Sequence, residues 1–301
     1  MSIRNFQRFV HSEVAATRVL HRYRFGDGAH GPGPLPAASC PRCATRGAHP
    51  LDAGRWRCGA CHYTFGLFTG SWLAQCRVPA TTWLWLIKLF ELEVVAQQAG
   101  VQVGVSYPTA LRAFTTMRRA ILATEEPELL RTEVEADESY FGPRRSSRHR
   151  GEGTGRGSPA KIPVFGILER QGHVQVSVVR DCSAESLRTA TLKTVKRGSL
   201  VYTDRWHGYD TLACYGYQHL RVDHARQFSR ASRRTSRGPV HINGLEGFWS
   251  YAKGKLQKHH GVSPWKFPLY LYEMQFRYNH RQDDLFDLVL RALVNPVPDP
   301  L

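Results

Sequence analysis

The chain has 301 residues, enough for one large domain with one or two small ones. A hydrophobic content of 42% suits a folded globular protein and excludes a low-hydrophobicity disordered one. A formal charge of +16 with a pI near 9.9 points to a polyanionic partner, because such a surface neutralises phosphates and releases their counterions.

The first twenty residues lack an apolar core of signal-peptide length, and the apolar stretch Trp83 to Phe90 is short and broken by Lys88. A cytoplasmic, nucleoid-associated location is therefore expected. Residues 1–37 read as a helical segment followed by GDGAHGPGPLPAAS, whose glycines and prolines make a linker. Cys40-Pro-Arg-Cys43 and Cys58-Gly-Ala-Cys61 follow, with 14 residues between the pairs. A hairpin of that length brings two thiolate pairs around one tetrahedral Zn²⁺, the pattern of a zinc ribbon over 38–68. So small a segment has little apolar core of its own, and metal binding must supply much of its folding free energy. Cys58-Gly-Ala-Cys61-His62 also matches a haem-attachment pattern, which the preceding CxxC and the missing export signal argue against. Cys76, Cys182 and Cys214 stand alone, as suits reduced thiols.

Residues 78–125 read as helical. Trp83, Leu84, Ile87 and Phe90 recur at helical spacing, a shorter segment spans Glu93 to Ala99, Gly100 to Gly104 is expected to form a turn, and Ser106 can cap a further helix with Pro108 in its first turn. In a helix-turn-helix, Tyr107, Thr109 and Arg112 would face the major groove, while Arg118 and Arg119 would reach phosphates. A plain helical hairpin is the alternative.

From 131 to 290 the pattern is α/β, with 291–301 as a tail. VEADESYF, IPVFGILE and HVQVSVVR read as strands, Ala184 to Val195 as a helix, and Ser199 to Thr203 as a buried strand ending at Asp204. Strand, helix, strand implies a parallel pairing. Asp137 lies inside the first strand and Asp204 at the carboxyl end of the later one, so neighbouring strands can present both carboxylates to shared Mg²⁺, two ions about 3.5–4 Å apart in such chemistry. Asn243, Glu246, Ser250 and Lys253 share one face of a helix, where Glu246 would complete the metal site and Lys253 would contact a phosphate. Glu135 falls on the strand face of Asp137, and Glu138 on the opposite one. Each acid has a plainer reading as a cap, an ion pair or a solvated face.

Basic residues surround the third acid. Residues 221–258 hold Arg221, Arg226, Arg230, Arg233, Arg234, Arg237, Lys253, Lys255 and Lys258 against Asp223 and Glu246. A second basic run, Arg144, Arg145, Arg148, Arg150, Arg156 and Lys161, lies in a Gly- and Ser-rich segment expected to be a mobile loop that folds onto DNA. Trp249, Trp265, Tyr270 and Tyr272 are expected to pack in the core, with stacking on flipped bases as the alternative.

Taken together, the paired CxxC motifs, Gly104-Val105-Ser106-Tyr107, Asp137-Glu138-Ser139-Tyr140, Tyr202-Thr203-Asp204 with Gly208-Tyr209, His241-Ile242-Asn243-Gly244-Leu245-Glu246 with Phe248-Trp249 and Lys253, and Phe276-Arg277-Tyr278-Asn279 with Arg281 resemble the bacterial insertion-sequence transposases of the ISXO2-like group over residues 38–285. Pro143 departs from that family's usual glycine. The resemblance implies a ribonuclease H-like catalytic domain of the Asp, Asp, Glu or Asn type, Mg²⁺ held by Asp137, Asp204 and Glu246, Lys253 as part of the signature, and terminal inverted repeats as substrate. Asn243 competes with Glu246 for the third position. The implied reaction is hydrolytic nicking followed by attack of the 3′ hydroxyl on target DNA, by at least a dimer on double-stranded DNA. A zinc-ribbon regulator and a host nuclease without strand transfer are the alternatives.

Overall fold

The computed structural model describes residues 2–26, 28, 33–125, 128–142, 161–204, 207–222, 234–235, 238–239 and 241–298. They fall into two compact units, Met1–Glu125 with His280–Leu301, and Glu126–Asn279. Among the described residues no helix is long and apolar enough to cross a membrane.

In the first unit, the expected N-terminal helical segment is two helices, α1 (Ile3–Phe9) and α2 (Glu13–Phe25), begun by Ser2 and Ser12 side chains that accept from Asn5 and Ala15 amides. The ribbon is a three-stranded antiparallel sheet of β1 (His49–Leu51), β2 (Arg55–Arg57) and β3 (Thr64–Gly66). Its core is small: Ala38, Cys40, Cys58 and Phe65 are buried, with Trp56 and Phe25 packed against them.

Helices α3 (Ala80–Glu91), α4 (Ala96–Val103) and α5 (Tyr107–Thr124) follow. Pro79 offers α3 no side-chain cap; instead the Glu13 carboxylate of α2 accepts from the Ala80 and Thr81 amides at 2.6 and 3.0 Å. The expected Gly100–Gly104 turn is corrected here: Gly100 lies within α4, and the turn begins at Gly104, whose φ of 72° closes the helix in the left-handed region. The compact turn joins α4 directly to α5. Gly100 is what permits it, since a Cβ there would stand 2.9 Å from the Val105 carbonyl oxygen and 3.5 Å from Ala110 Cβ.

Helix α6 (Ala184–Thr194), α7 (Asn243–Gln257) and α8 (Phe267–Asn279) belong to the second unit. The last helix, α9 (Leu285–Val294), does not. Residues 280–290, expected in the catalytic domain, and the tail after them lie with the first unit, because α9 buries Phe286, Val289, Leu290 and Leu293 against α2, α3 and α5. Phe286 meets Phe6 edge to face at 5.4 Å, and the Tyr23 hydroxyl donates to Asp287 at 2.7 Å.

The second unit is built on a five-stranded sheet of β4 (Glu133–Phe141), β5 (Ile162–Glu169), β6 (Val174–Val178), β7 (Leu200–Thr203) and β8 (Gln218–Arg221), in the order β6-β5-β4-β7-β8. The first three strands are antiparallel, while β4–β7 and β7–β8 are parallel. This 3-2-1-4-5 order with α6 as the crossover is the ribonuclease H-like arrangement. On one face Phe141, Val164, Leu168, Val176, Leu245, Phe248 and Trp249 pack sheet to α7 and α8; on the other Val134, Ala136, Phe165, Leu187, Val201 and Tyr209 form a second layer. After β7 comes a 3₁₀ run, His207–Tyr215.

Replacing Gly100 by Val should cost about 1–3 kcal/mol by overpacking against backbone that cannot withdraw. Chemical denaturation checks this; an unchanged midpoint would mean that α4 and α5 are not held in this contact.

Candidate active site and metal centres

The four ribbon cysteines converge. Their sulfurs all lie within 4.8 Å of one another, with Cys40 to Cys61 at 3.6 Å and Cys43 to Cys58 at 3.5 Å. The Arg42 amide donates to Cys40 Sγ and the Cys61 amide to Cys58 Sγ. An all-thiolate donor set of this size suits a structural zinc.

The second centre depends on how far two parallel strands run. β4 and β7 pair only as far as Glu135 with Tyr202. Continued by two residues, that register sets Asp137 level with Asp204, where β7 has ended and β4 continues to Phe141. A crevice beyond the carboxyl end of a parallel strand is where α/β sheets place ligands. Thr203, fully buried, secures the strand end: its hydroxyl lies 2.8 Å from His219 Nε2 and donates to the Asp204 carbonyl at 2.8 Å.

Among the described residues, Asp137, Glu138 and Asp204 are the carboxylates whose oxygens lie within 4.8 Å of one another. Glu138 does leave β4 on the face opposite Asp137, beside buried Tyr209. The reading by strand alternation, which set it apart from Asp137, is nonetheless corrected: its oxygens join those of Asp137 and Asp204, because among the described residues no strand pairs with that edge of β4 past Glu135 and side chains from both faces can turn into the notch. Glu246 and Asn243 stand outside this closest group, exposed on the first turn of α7, although the charge of Glu246 is felt at Asp137. Ser250 and Lys253 are exposed on the same helix, with Lys253 Nζ 5.5 Å from the ring of Phe141 at the end of β4. Lys255 Nζ lies 5.8 Å from the Tyr251 ring.

Asp137 is held by a residue read as core filler. Trp249 Nε1 donates to Asp137 Oδ2 at 3.0 Å, and its indole lies on Gly166, where a Cβ would stand 2.6 Å from the ring. Gly166 is the register partner of Asp137 on β5. A glycine within IPVFGILE was the available signal of such a close approach. Trp249 and Tyr270 are core residues, whereas Trp265 is 72% exposed.

Burial pushes the Asp137 carboxyl up to about 6, and the charges of Asp204 and Glu246 add to this against the Trp249 hydrogen bond. Burial, with the charges of Asp137 and Asp204, pushes Glu138 up to about 7. Three hard oxygen donors this close together, two of them with ionised forms disfavoured by burial and neighbouring charge, fit a divalent cation such as Mg²⁺ or Mn²⁺.

Of the residues expected on DNA, Tyr107 is 51% exposed and Arg112 is exposed at the start of α5, while Thr109 is half-buried with its hydroxyl 2.9 Å from that of Ser106. Arg119 is exposed. Arg118 is corrected: it is 3% exposed, its guanidinium 5.5 Å from the Phe90 ring, and it cannot reach a phosphate from there. Arg234 belongs to the two-residue strand Arg234–Thr235, paired with Gly238–Pro239. Arg233, Arg237 and the basic run from Arg144 to Arg156 lie outside the described residues.

A family model described as an ISXO2-like transposase domain matches residues 129–279, half of the chain. The chain belongs to that family. A transposase zinc-ribbon domain matches residues 11–64, so this transposase's ribbon module begins with α2. Helix α2 accordingly lays His21 and Phe25 against Trp56, at 5.5 and 5.9 Å. An uncharacterized transposase-like protein of Haemophilus influenzae is 32% identical over 121 residues, 40% of this chain and 93% of that protein. A protein in the transposable element ISH50 of Halobacterium salinarum is 28% identical over 289 residues, 88% of this chain and 90% of its own length. Among solved structures, the Mos1 strand transfer complex aligns at 14% identity and a TM-score of 0.19, over 45% of this chain and 56% of that one. The Mos1 paired-end complex with the left transposon end aligns at 11% identity and 0.21, over 65% and 75%.

The purified transposase is expected to carry about one zinc per chain, and Cys58→Ser to lose it together with the ordered surroundings of Trp56. Elemental analysis and near-ultraviolet circular dichroism read both; zinc retained by the variant would place it elsewhere.

The acid centre makes a pH prediction. Both folded-state values exceed those of an unfolded chain, so the unfolded chain releases these protons first and the metal-free fold loses stability as pH rises from about 4 to about 7. Mn²⁺ should therefore raise the melting temperature more at about pH 8 than at about pH 5, since its ligands must be deprotonated. Asp137→Asn with Glu138→Gln should erase the difference. Equal shifts at both pH values would remove the cation from these carboxylates.

Proposed function

We propose that the chain nicks DNA at the ends of the insertion element that encodes it and joins the resulting 3′ hydroxyl to target DNA. The observation carrying this reading is the convergence of Asp137, Glu138 and Asp204 at the open end of two parallel strands, in a chain of a transposase family. Asp137, Asp204 and Glu138 would hold the cation, with Glu246 on the facing helix turn and Asn243 one turn edge away. Two Mg²⁺ ions, when bound, supply activation of the attacking oxygen and stabilisation of the leaving one.

The chain's own groups do the rest. Trp249 fixes one oxygen of Asp137 and thereby turns the other toward the notch. Lys253, exposed near the end of β4, places a positive charge where a scissile phosphate would lie. In the first step water attacks phosphorus and the 3′ oxygen leaves with a proton; in the second that hydroxyl attacks a target phosphodiester and expels the target's own 3′ oxygen. No bond to protein is needed in either step. Tyr107, Thr109 and Arg112 at the start of α5 would read the major groove of the repeats, Arg233, Arg234, Arg237 and Lys255 would add phosphate contacts, and pairing two ends calls for at least two protomers.

Labelled DNA carrying the element's terminal repeats, incubated with Mg²⁺, tests the reading. Wild type should yield nicked and joined products, and Asp204→Ala should lose at least about a hundredfold, because even partners outside the ligand shell cost about 10–100-fold. Nicking without joined product would favour the host-nuclease alternative, and binding without cleavage the regulator. An Asp204→Ala protein that cuts normally would overturn the site.

A further inference from the structure

Glu135 is 1% exposed and lies outside the group of oxygens that can share a cation. A buried carboxylate costs several kcal/mol unless it is paired and hydrogen-bonded, and its partners show what it does. Glu135 Oε2 accepts from the Leu245 amide at 2.9 Å, in the first turn of α7, where Ile242 at the N-cap provides no side-chain hydrogen bond. Its other oxygen stands 3.4 Å from Arg170 Nε and 3.4 Å from His241 Nδ1. Arg170 in turn donates to the His241 carbonyl at 2.8 Å, lies 3.4 Å from Glu133, and stacks 3.7 Å over the Tyr202 ring, whose hydroxyl donates to Glu133 at 2.9 Å.

This network links β4, β7 and Arg170, just past the end of β5, to the residues on which α7 starts. The approach it enforces is close: a Cβ on Gly244 would stand 2.5 Å from Leu168 Cδ2 and 2.9 Å from Glu135 Oε2. Glu135 and Asp137 are two apart on one face of β4, and they grip α7 one turn apart, at the Leu245 amide and the Trp249 indole.

We propose that Glu135, braced by Arg170 and His241, is a positioning residue that sets the first turn of α7 against β4 and so holds Glu246 at working distance from Asp137. The proposal rests on the reading that Glu246 acts on the same cation as Asp137. Glu135 itself touches neither substrate nor cation. It replaces the missing N-cap from the strand that α7 packs against, and its negative charge also favours the positive end of the helix dipole.

Four variants of the full chain test this: Glu135→Ala, Glu135→Gln, Gly244→Ala and Glu246→Ala. Each is followed by Mn²⁺ binding calorimetry, by the Mn²⁺ concentration that half-saturates cleavage, and by thermal unfolding. Glu135→Ala and Gly244→Ala should weaken Mn²⁺ binding and raise the half-saturating Mn²⁺ on the order of tenfold or more, with KM for DNA unchanged. Glu135→Gln keeps an acceptor for the Leu245 amide and should recover part of that loss. Added to Glu246→Ala, none should have a further effect on Mn²⁺ binding.

Wild-type Mn²⁺ binding in Gly244→Ala and Glu135→Ala, with binding weakened in Glu246→Ala, overturns the positioning role and leaves the metal reading intact. Losses that multiply with Glu246→Ala overturn it as well. If Glu246→Ala itself binds Mn²⁺ and cleaves like wild type, the metal reading fails for Glu246 and the proposal falls with it. Should Glu135→Ala fail to fold, Gly244→Ala and Glu135→Gln decide.

Discussion

A mismatch in length between two parallel strands governs the second unit. β7 stops at Thr203 while β4 continues to Phe141, and the register between them ends with Glu135 opposite Tyr202. Had β7 run two residues further, Asp204 would sit within the ladder and Glu138 would be confined to the far face. Because it stops, the described residues leave a notch beside β4, bordered by backbone on one side. Side chains of both faces can meet there. The cost of gathering three carboxylates in it is visible in Asp137 and Glu138, both pushed well above the ordinary carboxylate range by burial and by their neighbours' charge. The closeness of the three carboxylates and the raised values of two of them have one geometric cause.

Helix α7 adds a second constraint to that notch. Its buried residues Leu245, Phe248, Trp249 and Ala252 follow from ordinary helical spacing. The polar contacts are less ordinary, since Trp249 contributes ring surface to the core and its indole hydrogen to Asp137. Gly166 is the counterpart that makes room. Two strands and one helix thus specify the position of a single carboxylate from three directions.

Much of this was legible in the sequence. Strand, helix, strand around two acids implied the parallel pair, and the three-and-four spacing from Asn243 gave the exposed face that carries Glu246 and Lys253. What could not be read was where each strand ends. Glu138 was set aside by strand alternation, which was right about its face and silent about the open edge. Gly100 was taken for a turn residue because glycine breaks helices in isolation, whereas contact with Val105 and Ala110 is what selects it. Arg118 looked like a phosphate ligand by charge and spacing, but its face of α5 packs on Phe90. Trp249 and Glu135 have roles set by partners about 110 residues away in the chain, which no local pattern reports.

The first unit closes in an unusual order. Its final helix, α9, is made after the 154 residues from Glu126 to Asn279 that form the other unit. Four of its side chains, Phe286, Val289, Leu290 and Leu293, are almost wholly buried against helices made much earlier. Each contributes about 1.5–3 kcal/mol, so together they rival the whole margin of about 5–15 kcal/mol that keeps a domain folded. During synthesis, helices α2, α3 and α5 therefore wait with an uncovered apolar side while the five-stranded sheet, contiguous in the chain, can already assemble. A nascent polypeptide has the strands of its acid cluster before the first unit has its last helix, and a ribosome that stops before α9 releases a protein with the first unit unfinished.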